Sequence, residues 1–150
     1  MDIDSYFAEY GSKERSQLVP EAYARFRDYD NALFDFAERR GMPEQLYLDL
    51  SALLPAIIAA EDGHYYETES DIWSYVFEPT QASRVKSNAE KLVKEKSIED
   101  AVKRQKTLLD SLPDSTKRDA LVFSVCYILC FSSVSDVNRK LLKKLFFAEK

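Results

Sequence analysis

Apolar residues recur at helical spacing along most of the chain. The clearest run occupies positions i, i+4, i+7, i+8, i+11 and i+12 and consists of Leu46, Leu50, Leu53, Leu54, Ile57 and Ile58. This spacing places the run on one face of a helix, since an α-helix turns once in about 3.6 residues. Pro55 lies inside this run. It predicts a kink in the helix rather than the end of the helix, because packing of its apolar neighbours can offset the free-energy cost of a proline. We predict a helix from Pro43 that is closed by Gly63.

Two helices are predicted ahead of this run. The first is short and ends at Gly11, and Ser12 is expected to cap a further short turn. The second begins at Pro20, because the first turn of a helix does not need the N–H that proline lacks. It ends at Gly41, which can adopt the left-handed conformation found after helices. Its expected buried stripe consists of Tyr23, Phe26, Leu33, Phe34 and Ala37.

Five further helices are predicted after Gly63. Their extents are 68–77, 80–96, 97–112, 114–131 and a last segment that Ser135 caps. Thr68-Glu69-Ser70-Asp71 and Ser97-Ile98-Glu99-Asp100 have the form of capping boxes, which open helices. Pro79 and Pro113 are expected to close the helices before them. The residues expected to face inward are Ile72, Trp73, Val76, Phe77, Val85, Ala89, Leu92, Val93, Ile98, Ala101, Val102, Gln105, Leu108, Leu109, Leu112, Val137, Leu141, Leu142, Leu145 and Phe146.

The chain has too few helix breakers for a fold of short strands and turns. Of 150 residues, 3 are glycine and 5 are proline, and no alternating strand pattern is convincing. No linker longer than about six residues separates the predicted helices, so no domain boundary is expected. We predict an all-α fold, with residues 1–150 forming one domain that is a bundle of about seven main helices.

Two helical hairpins in this bundle echo each other. The pairs related by a shift of 69 residues include Leu54 with Phe123, Ile57 with Cys126, Ile58 with Tyr127 and Trp73 with Leu142. Each copy has the pattern of an apolar helix, a short turn and a second apolar helix. The fold is therefore expected to contain two pseudo-repeated helical hairpins.

The first copy resembles the tellurite-resistance TerB family. In that family a helix of small residues ends in an Asp-Gly turn, and the next helix carries a glutamate in its first turn. Asp62, Gly63 and Glu69 stand at the matching places. The resemblance covers residues 46–77 closely and residues 121–147 in outline. It implies an all-helical fold with two such motifs, a role in stress response and the binding of a divalent cation.

The chain departs from the family pattern at both turns. His64 stands where the family usually has an acid, and Tyr66 stands where it usually has a capping serine or aspartate. In the second copy Phe131 and Ser132 replace the Asp-Gly pair, and Asn138 replaces the glutamate. The second turn therefore lacks the charged ligands that a cation would need.

The acidic first turn is the candidate metal site. Asp62 and Glu69 could supply oxygens to calcium, magnesium or manganese, with loop carbonyls and water completing the shell. Glu61 adds a neighbouring carboxylate, and His64 could add a nitrogen that favours a transition metal. The alternative is structural, because acidic residues beside the start of a helix stabilise its dipole. In that case His64 is a solvated loop residue and no cation binds.

Charge is divided unevenly along the chain. Residues 1–83 contain 6 lysines and arginines against 17 acids, and residues 84–150 contain 15 against 9, so their net charges are −11 and +6. Either the two halves face each other and partly neutralise, or the polarity is exposed and binds a protein partner or a second copy of the chain. The basic segment 84–106 lacks interleaved aromatics and is broken by acids, so nucleic acid is not an expected partner.

Other chemistry has little support. Cys126 and Cys130 lie one turn apart on the most apolar helix and are expected to be reduced core residues, since two thiolates make only half of a zinc site. One histidine and no glycine-rich phosphate loop leave no catalytic constellation, so no enzymatic activity is expected. No apolar run reaches the about 20 residues of a membrane span, and the acidic start is unlike a signal peptide. We expect a soluble cytoplasmic helical accessory protein.

Overall fold

Seven helices make up most of the part of the chain that the structure describes. This computed structural model describes residues 2–62, 73–131 and 135–147, without the side chains of Asp62 and Phe131. The helices are α1 (Ile3–Gly11), α2 (Arg15–Arg39), α3 (Glu44–Asp62), α4 (Pro79–Lys94), α5 (Ile98–Asp110), α6 (Asp114–Phe131) and α7 (Asp136–Phe146). Residues 73–76 add one helical turn, and no strand occurs in the described ranges. The predicted all-α bundle is confirmed.

Helix α3 is at the centre of the bundle. It packs against α2, α4, α5, α6 and α7, and every residue from 51 to 60 is buried. Large aliphatic side chains fill the predicted face, while Ser51 and four alanines let other helices approach the remaining faces. The helix continues through Pro55 as predicted. The predicted face is wrong at its first residue, because Leu46 precedes the enclosed segment and is 47% exposed.

Aromatic rings fill the space between α2, α6 and residues 73–77. The ring of Phe26 meets that of Phe77 edge to face, with centroids 4.8 Å apart. Phe123 lies 4.9 Å from Phe26 and 5.1 Å from Tyr127 between ring centroids. The indole N–H of Trp73 donates a hydrogen bond to the hydroxyl of Tyr127. All five side chains are buried, which confirms the inward positions predicted for Phe26, Trp73 and Phe77.

The echoed positions of the two hairpins have the same environment. Both members of each quoted pair are buried, from Leu54 with Phe123 to Trp73 with Leu142. Helices α6 and α7 supply the second hairpin, as predicted. Of the second helix of the first hairpin, only residues 73–76 are described.

A buried hydrogen bond joins α2 to α5. Gln105 Nε2 donates to the hydroxyl of Tyr29 over 2.9 Å, and both side chains are fully buried. Burial raises the pKa of Tyr29, and the bond from Gln105 opposes that rise. Within the described ranges Gln105 Oε1 has no hydrogen-bond partner. The pair is therefore a partly satisfied polar contact inside an apolar core.

We predict that Tyr29→Phe costs about 1–3 kcal/mol of unfolding free energy, because it leaves the amide of Gln105 without any partner. Adding Gln105→Leu should restore stability to the wild-type level or above, since both partners are then apolar. Urea unfolding of the wild type, both single variants and the double variant measures this coupling. Additive losses in the double variant would contradict the prediction.

Helix α2 starts earlier than predicted. It begins at Arg15, and Pro20 lies in its second turn rather than its first. The side chain of Gln17 stabilises this start, because its Oε1 accepts a hydrogen bond from the N–H of Glu14 over 3.1 Å. The proline removes one backbone hydrogen bond near the N-terminus of this helix of 25 residues. The extensive packing of α2 against α6 offsets the free-energy cost of that lost bond, so the helix continues through Pro20.

The predicted buried stripe of α2 is correct at Phe26, Leu33 and Ala37 and wrong elsewhere. Tyr23 is 36% exposed and Phe34 is 50% exposed. The buried residues of α2 are Leu18, Ala22, Phe26, Tyr29, Leu33 and Ala37. Tyr23 and Phe34 each follow a buried residue by one position, which turns them about 100° away from the core. Their large apolar side chains misled the prediction, because burial depends on helix rotation as well as hydrophobicity.

The prediction for one further helix end is wrong, and two others are correct only in part. Ser12 ends α1, where its hydroxyl donates to the carbonyl of Glu9 over 2.9 Å. Residues 73–76 end before Pro79, as predicted, but Pro79 is itself the first residue of α4, one position before the predicted start, in keeping with the preference of proline for the first helical turn. Ser97 precedes α5 but makes no capping bond with its side chain, because its φ and ψ of −110° and 20° are not those of a typical N-cap.

Other expected ends are confirmed. Gly41 follows α2 with a φ of +61°. The side chain of Ser135 caps α7 by accepting a hydrogen bond from the N–H of Asn138 over 3.2 Å. Val137 was expected inside but is 44% exposed, because it precedes the buried Asn138 by one position and is turned about 100° from the buried face of α7. The capping box predicted at Thr68 lies outside the described residues.

Ion pairs connect the acidic and basic halves of the chain. Arg84 Nη1 on α4 lies 2.7 Å from Asp49 Oδ1 on α3. Arg139 Nε on α7 lies 3.1 Å from Asp4 Oδ1 on α1. Part of the opposite charge in the two halves is therefore neutralised within the bundle, as the first of the two alternatives predicts.

Candidate functional site

The predicted cation site lies mostly outside the described residues. His64 and Glu69 are not described, and Asp62 is described only as the last residue of α3, without its side chain. Glu61 is the one predicted ligand with a described side chain, and it is partly buried on the last turn of α3. The cation site stays a prediction.

Two kinds of feature are absent from residues 2–62, 73–131 and 135–147. No group of three or more His, Cys, Asp and Glu side chains there could hold a metal ion. No helix in those ranges is both long enough and apolar enough to cross a membrane. The described surface does contain a groove with an apolar floor and a charged rim.

This groove lies between α5 and α7, beside the last turn of α3, and has a volume of about 460 Å³. Its floor consists of Ile98, Val102, Val137 and Leu141. Its rim consists of Glu61, Glu99, Lys103, Lys106, Lys140 and Lys144. We call this surface the lysine groove. Its volume is in the range of about 300–1,000 Å³ that is typical of ligand sites.

Helical spacing explains how the two helices build the groove. On α5, Ile98 and Val102 are one turn apart, and on α7, Val137 and Leu141 are one turn apart. Residues four apart project from the same face of a helix, so each helix contributes a short apolar row. The lysines lie one residue or one turn from these rows, so their long side chains line the edges of the floor.

The rim of the groove carries excess positive charge. Four lysines face two glutamates, a local charge of +2 in a chain with a net charge of −5. Lys106 Nζ lies 3.8 Å from Asp110 Oδ2. Within the described ranges no carboxylate lies at ion-pair distance from Lys103, Lys140 or Lys144, in contrast to Lys106. Three of the four cations therefore have no ion-pair partner among the described side chains.

Sequence reasoning missed the lysine groove. The basic segment 84–106 reads as a solvated helix face, and the apolar residues of α7 read as core. The available signal was a lysine beside each apolar row, at Lys103 on α5 and Lys140 on α7. That signal becomes a groove only once α5 and α7 are known to be neighbours, and 25 residues separate the end of one from the start of the other in the sequence.

A cluster of polar side chains, separate from the lysine groove, is centred on Asp30 of α2. Its Oδ1 accepts hydrogen bonds from the hydroxyl of Tyr47 over 2.7 Å and from the hydroxyl of Ser51 over 2.5 Å. Its Oδ2 lies 3.4 Å from Gln81 Nε2. Burial, followed by the bond to Asp30, raises the pKa of Tyr47, so that hydroxyl stays protonated and donates. The cluster ties α2 to α3 and α4 and has a structural role.

Comparison with known proteins gives no match. No protein-family model, curated protein or solved structure matches this chain. The resemblance to the TerB family therefore stays a prediction, and the case for function depends on the chain's own residues.

Proposed function

We propose that this chain is a non-catalytic helical accessory protein of the cytoplasm that acts by binding another protein. The lysine groove carries the proposal. It combines an apolar floor, which can bury part of a partner, with three lysines that have no ion-pair partner among the described side chains. Protein interfaces commonly have this organisation, with an apolar centre surrounded by a polar rim.

The charge of the groove supports a role in recognition. The chain has a net charge of −5, so a partner that is attracted by its net charge would avoid this surface. The local excess of lysine instead selects a partner with negative charge at the matching place, because charge complementarity governs association rate and specificity. The basic excess of the second half, which is only partly neutralised within the bundle, thereby has a function.

We predict that reversing the charge of the groove abolishes partner binding. The test variant replaces Lys103, Lys140 and Lys144 with glutamate. The control variant replaces Lys86, Lys91 and Lys94, which are exposed on α4, with glutamate. Each substitution changes the charge by −2, so both triple variants have a net charge of −5 − 6 = −11. They therefore differ in where the charge lies and not in how much there is.

Each protein is immobilised and exposed to an extract of its source cell, and bound proteins are eluted with rising salt. A partner that the wild type and the control variant retain, and that the groove variant loses at least about tenfold, supports the proposal. Equal retention by all three proteins, or equal loss from both variants, would contradict it. Circular dichroism verifies that both variants keep the helical content of the wild type.

A second candidate function is cation binding at the Asp62 turn, with a link to stress response implied by the TerB resemblance. One observation favours it: α3 carries the buried small residues Ala59 and Ala60 and is helical as far as Asp62, the last residue described there, which agrees with the small-residue helix of the family pattern. Under this proposal Asp62 and Glu69 are the principal oxygen ligands, with Glu61 and His64 as further ligands. A calcium, magnesium or manganese ion is the expected cofactor.

We expect one of these cations to raise the melting temperature of the wild type, because a ligand that binds only the folded state stabilises it. Asp62→Asn combined with Glu69→Gln should remove that rise, and the triple variant of Lys86, Lys91 and Lys94 should keep it. A thermal-shift titration with each ion measures the effect. The absence of any shift, or an equal shift in the double variant, would refute the cation site and leave the binding groove untouched.

A further inference from the structure

The shape of the lysine groove indicates what kind of segment fits it. On α5 the lining extends from Ile98 to Lys106, and on α7 it extends from Val137 to Lys144. At about 1.5 Å per helical residue these spans are about 12 Å and 10 Å long. Two turns of a partner helix cover the same length, whereas an extended strand would place only about three or four residues there.

The pattern of the floor also matches a helix. Each of the two helices contributes two apolar side chains to the floor at a spacing of four residues, Ile98 with Val102 on α5 and Val137 with Leu141 on α7. Rows with this spacing form the ridges and grooves into which a third helix packs. An amphipathic helix that binds a groove does so with apolar anchors at i, i+3, i+4 and i+7, which extend over the same two turns.

The charge of the rim determines which residues suit the polar face of the bound helix. Lys103 and Lys106 line one side of the groove and Lys140 and Lys144 line the other. A helix seated on the floor would place the residues that flank its apolar stripe beside both pairs. Acidic residues at those flanking positions would form ion pairs with the lysines, and basic residues there would be repelled.

We infer that the lysine groove binds an acidic amphipathic helix of the partner protein. This inference rests on the proposed function and specifies the chemistry of the partner. The apolar stripe of the bound helix contacts Val102, Val137 and Leu141. Its glutamate and aspartate side chains flank that stripe and contact the four lysines.

A designed peptide tests the inference directly. The peptide has about 16 residues, because shorter helices are marginal in water. It carries leucine at i, i+3, i+4 and i+7, glutamate on both flanks and a fluorescein label. A control peptide has lysine in place of every glutamate. Fluorescence anisotropy measures binding of each peptide to the full chain at low and at high salt.

We expect the acidic peptide to bind and the basic peptide to bind at least about tenfold more weakly. The variant with glutamate at positions 103, 140 and 144 should lose at least about tenfold in affinity for the acidic peptide, and the matched α4 variant should not. Raising the salt concentration should weaken binding by screening the rim. Val137→Ser should weaken it several-fold without unfolding the chain, since Val137 is 44% exposed.

Three results would overturn the inference. One is equal binding of the acidic and basic peptides. Another is binding to vesicles of phosphatidylserine and phosphatidylcholine with no preference for the acidic peptide, which would assign the groove to a lipid surface. The third is a dimer in sedimentation that the groove variant abolishes while the peptide does not bind, which would assign the groove to a second copy of the chain. If the groove variant loses its cellular partner and the peptide still fails to bind, the proposed function stands and the helical partner is wrong.

Discussion

Replacing Phe123 with alanine is expected to reduce the unfolding free energy by about 3–5 kcal/mol, the range for removing a large side chain from a packed core. Phe123 is fully buried on α6, and its ring contacts those of Phe26, Phe77 and Tyr127. Truncation leaves a cavity at the place where α2, α6 and residues 73–77 meet. A domain with a stability of about 5–15 kcal/mol would lose a large part of it.

Urea unfolding measures this effect through tryptophan fluorescence. Trp73 is the sole tryptophan of the chain, and it is buried with its indole bonded to Tyr127, so unfolding changes its emission. Phe34→Ala is the matched control, because the chemical change is the same and Phe34 is 50% exposed. The control should cost less than about 1 kcal/mol. Equal losses in the two variants would show that Phe123 is not at a tightly packed centre.

The thiols of Cys126 and Cys130 are expected to react with iodoacetamide at pH 8 at least about a hundredfold more slowly in the native chain than in urea, because the thiolate is the reactive form. Both side chains are buried. Burial raises the pKa of Cys126 to about 12, with a further rise from the negative charge of Glu21. Burial raises the pKa of Cys130 to about 11. Both values are well above the ordinary 9.0 of a thiol.

The same pKa differences make stability depend on pH. Between pH 9 and pH 11 the unfolded chain loses thiol protons that the native chain keeps, so the unfolded state is favoured as the pH rises. The stabilisation is complete below pH 9 and declines above it. The pKa of Tyr29 is also raised, so a comparison with Cys126→Ala plus Cys130→Ala isolates the thiols. A native chain alkylated as fast as the unfolded one, or equal pH slopes in both proteins, would contradict this account.

The sequence predicts the helices of this protein better than their rotation. The periodic spacing that extends from Leu46 to Ile58 identifies α3 because it holds over about three turns. Helix α2 shows the limit, since aromatic residues occur on several of its faces and nothing local distinguishes Phe26, which is buried, from Phe34, which is not. That distinction is made by contact with α6, which lies far away in the sequence.

Boundaries were predictable where one residue determines them. Gly41 ends a helix because it can adopt a positive φ, and Ser135 begins one because its hydroxyl accepts an N–H. Proline was ambiguous, because it is tolerated at the start of a helix and, when packing offsets the cost, inside one. Pro20 therefore lies one turn further into its helix than predicted, and Pro79 begins a helix that was predicted to start one residue later.

The groove could not be predicted from the sequence for a different reason. A pocket is a relation between elements, and Lys103 and Lys140 are 37 positions apart in the chain. The sequence pattern of each helix places its lysine on a solvent-exposed face, and that placement is correct when the helix is considered by itself. The apolar floor shows the same dependence, because Val137 reads as a core residue and yet is partly exposed at the edge of the pair.

The burial of α3 on all sides has a consequence for synthesis of the chain. Four of the five helices that enclose residues 51–60 come after it in the sequence. A chain still growing on the ribosome therefore presents this apolar segment before α4 to α7 exist to cover it. Protection by molecular chaperones during translation would be most useful in that interval, and shortened products that lack the later helices should aggregate.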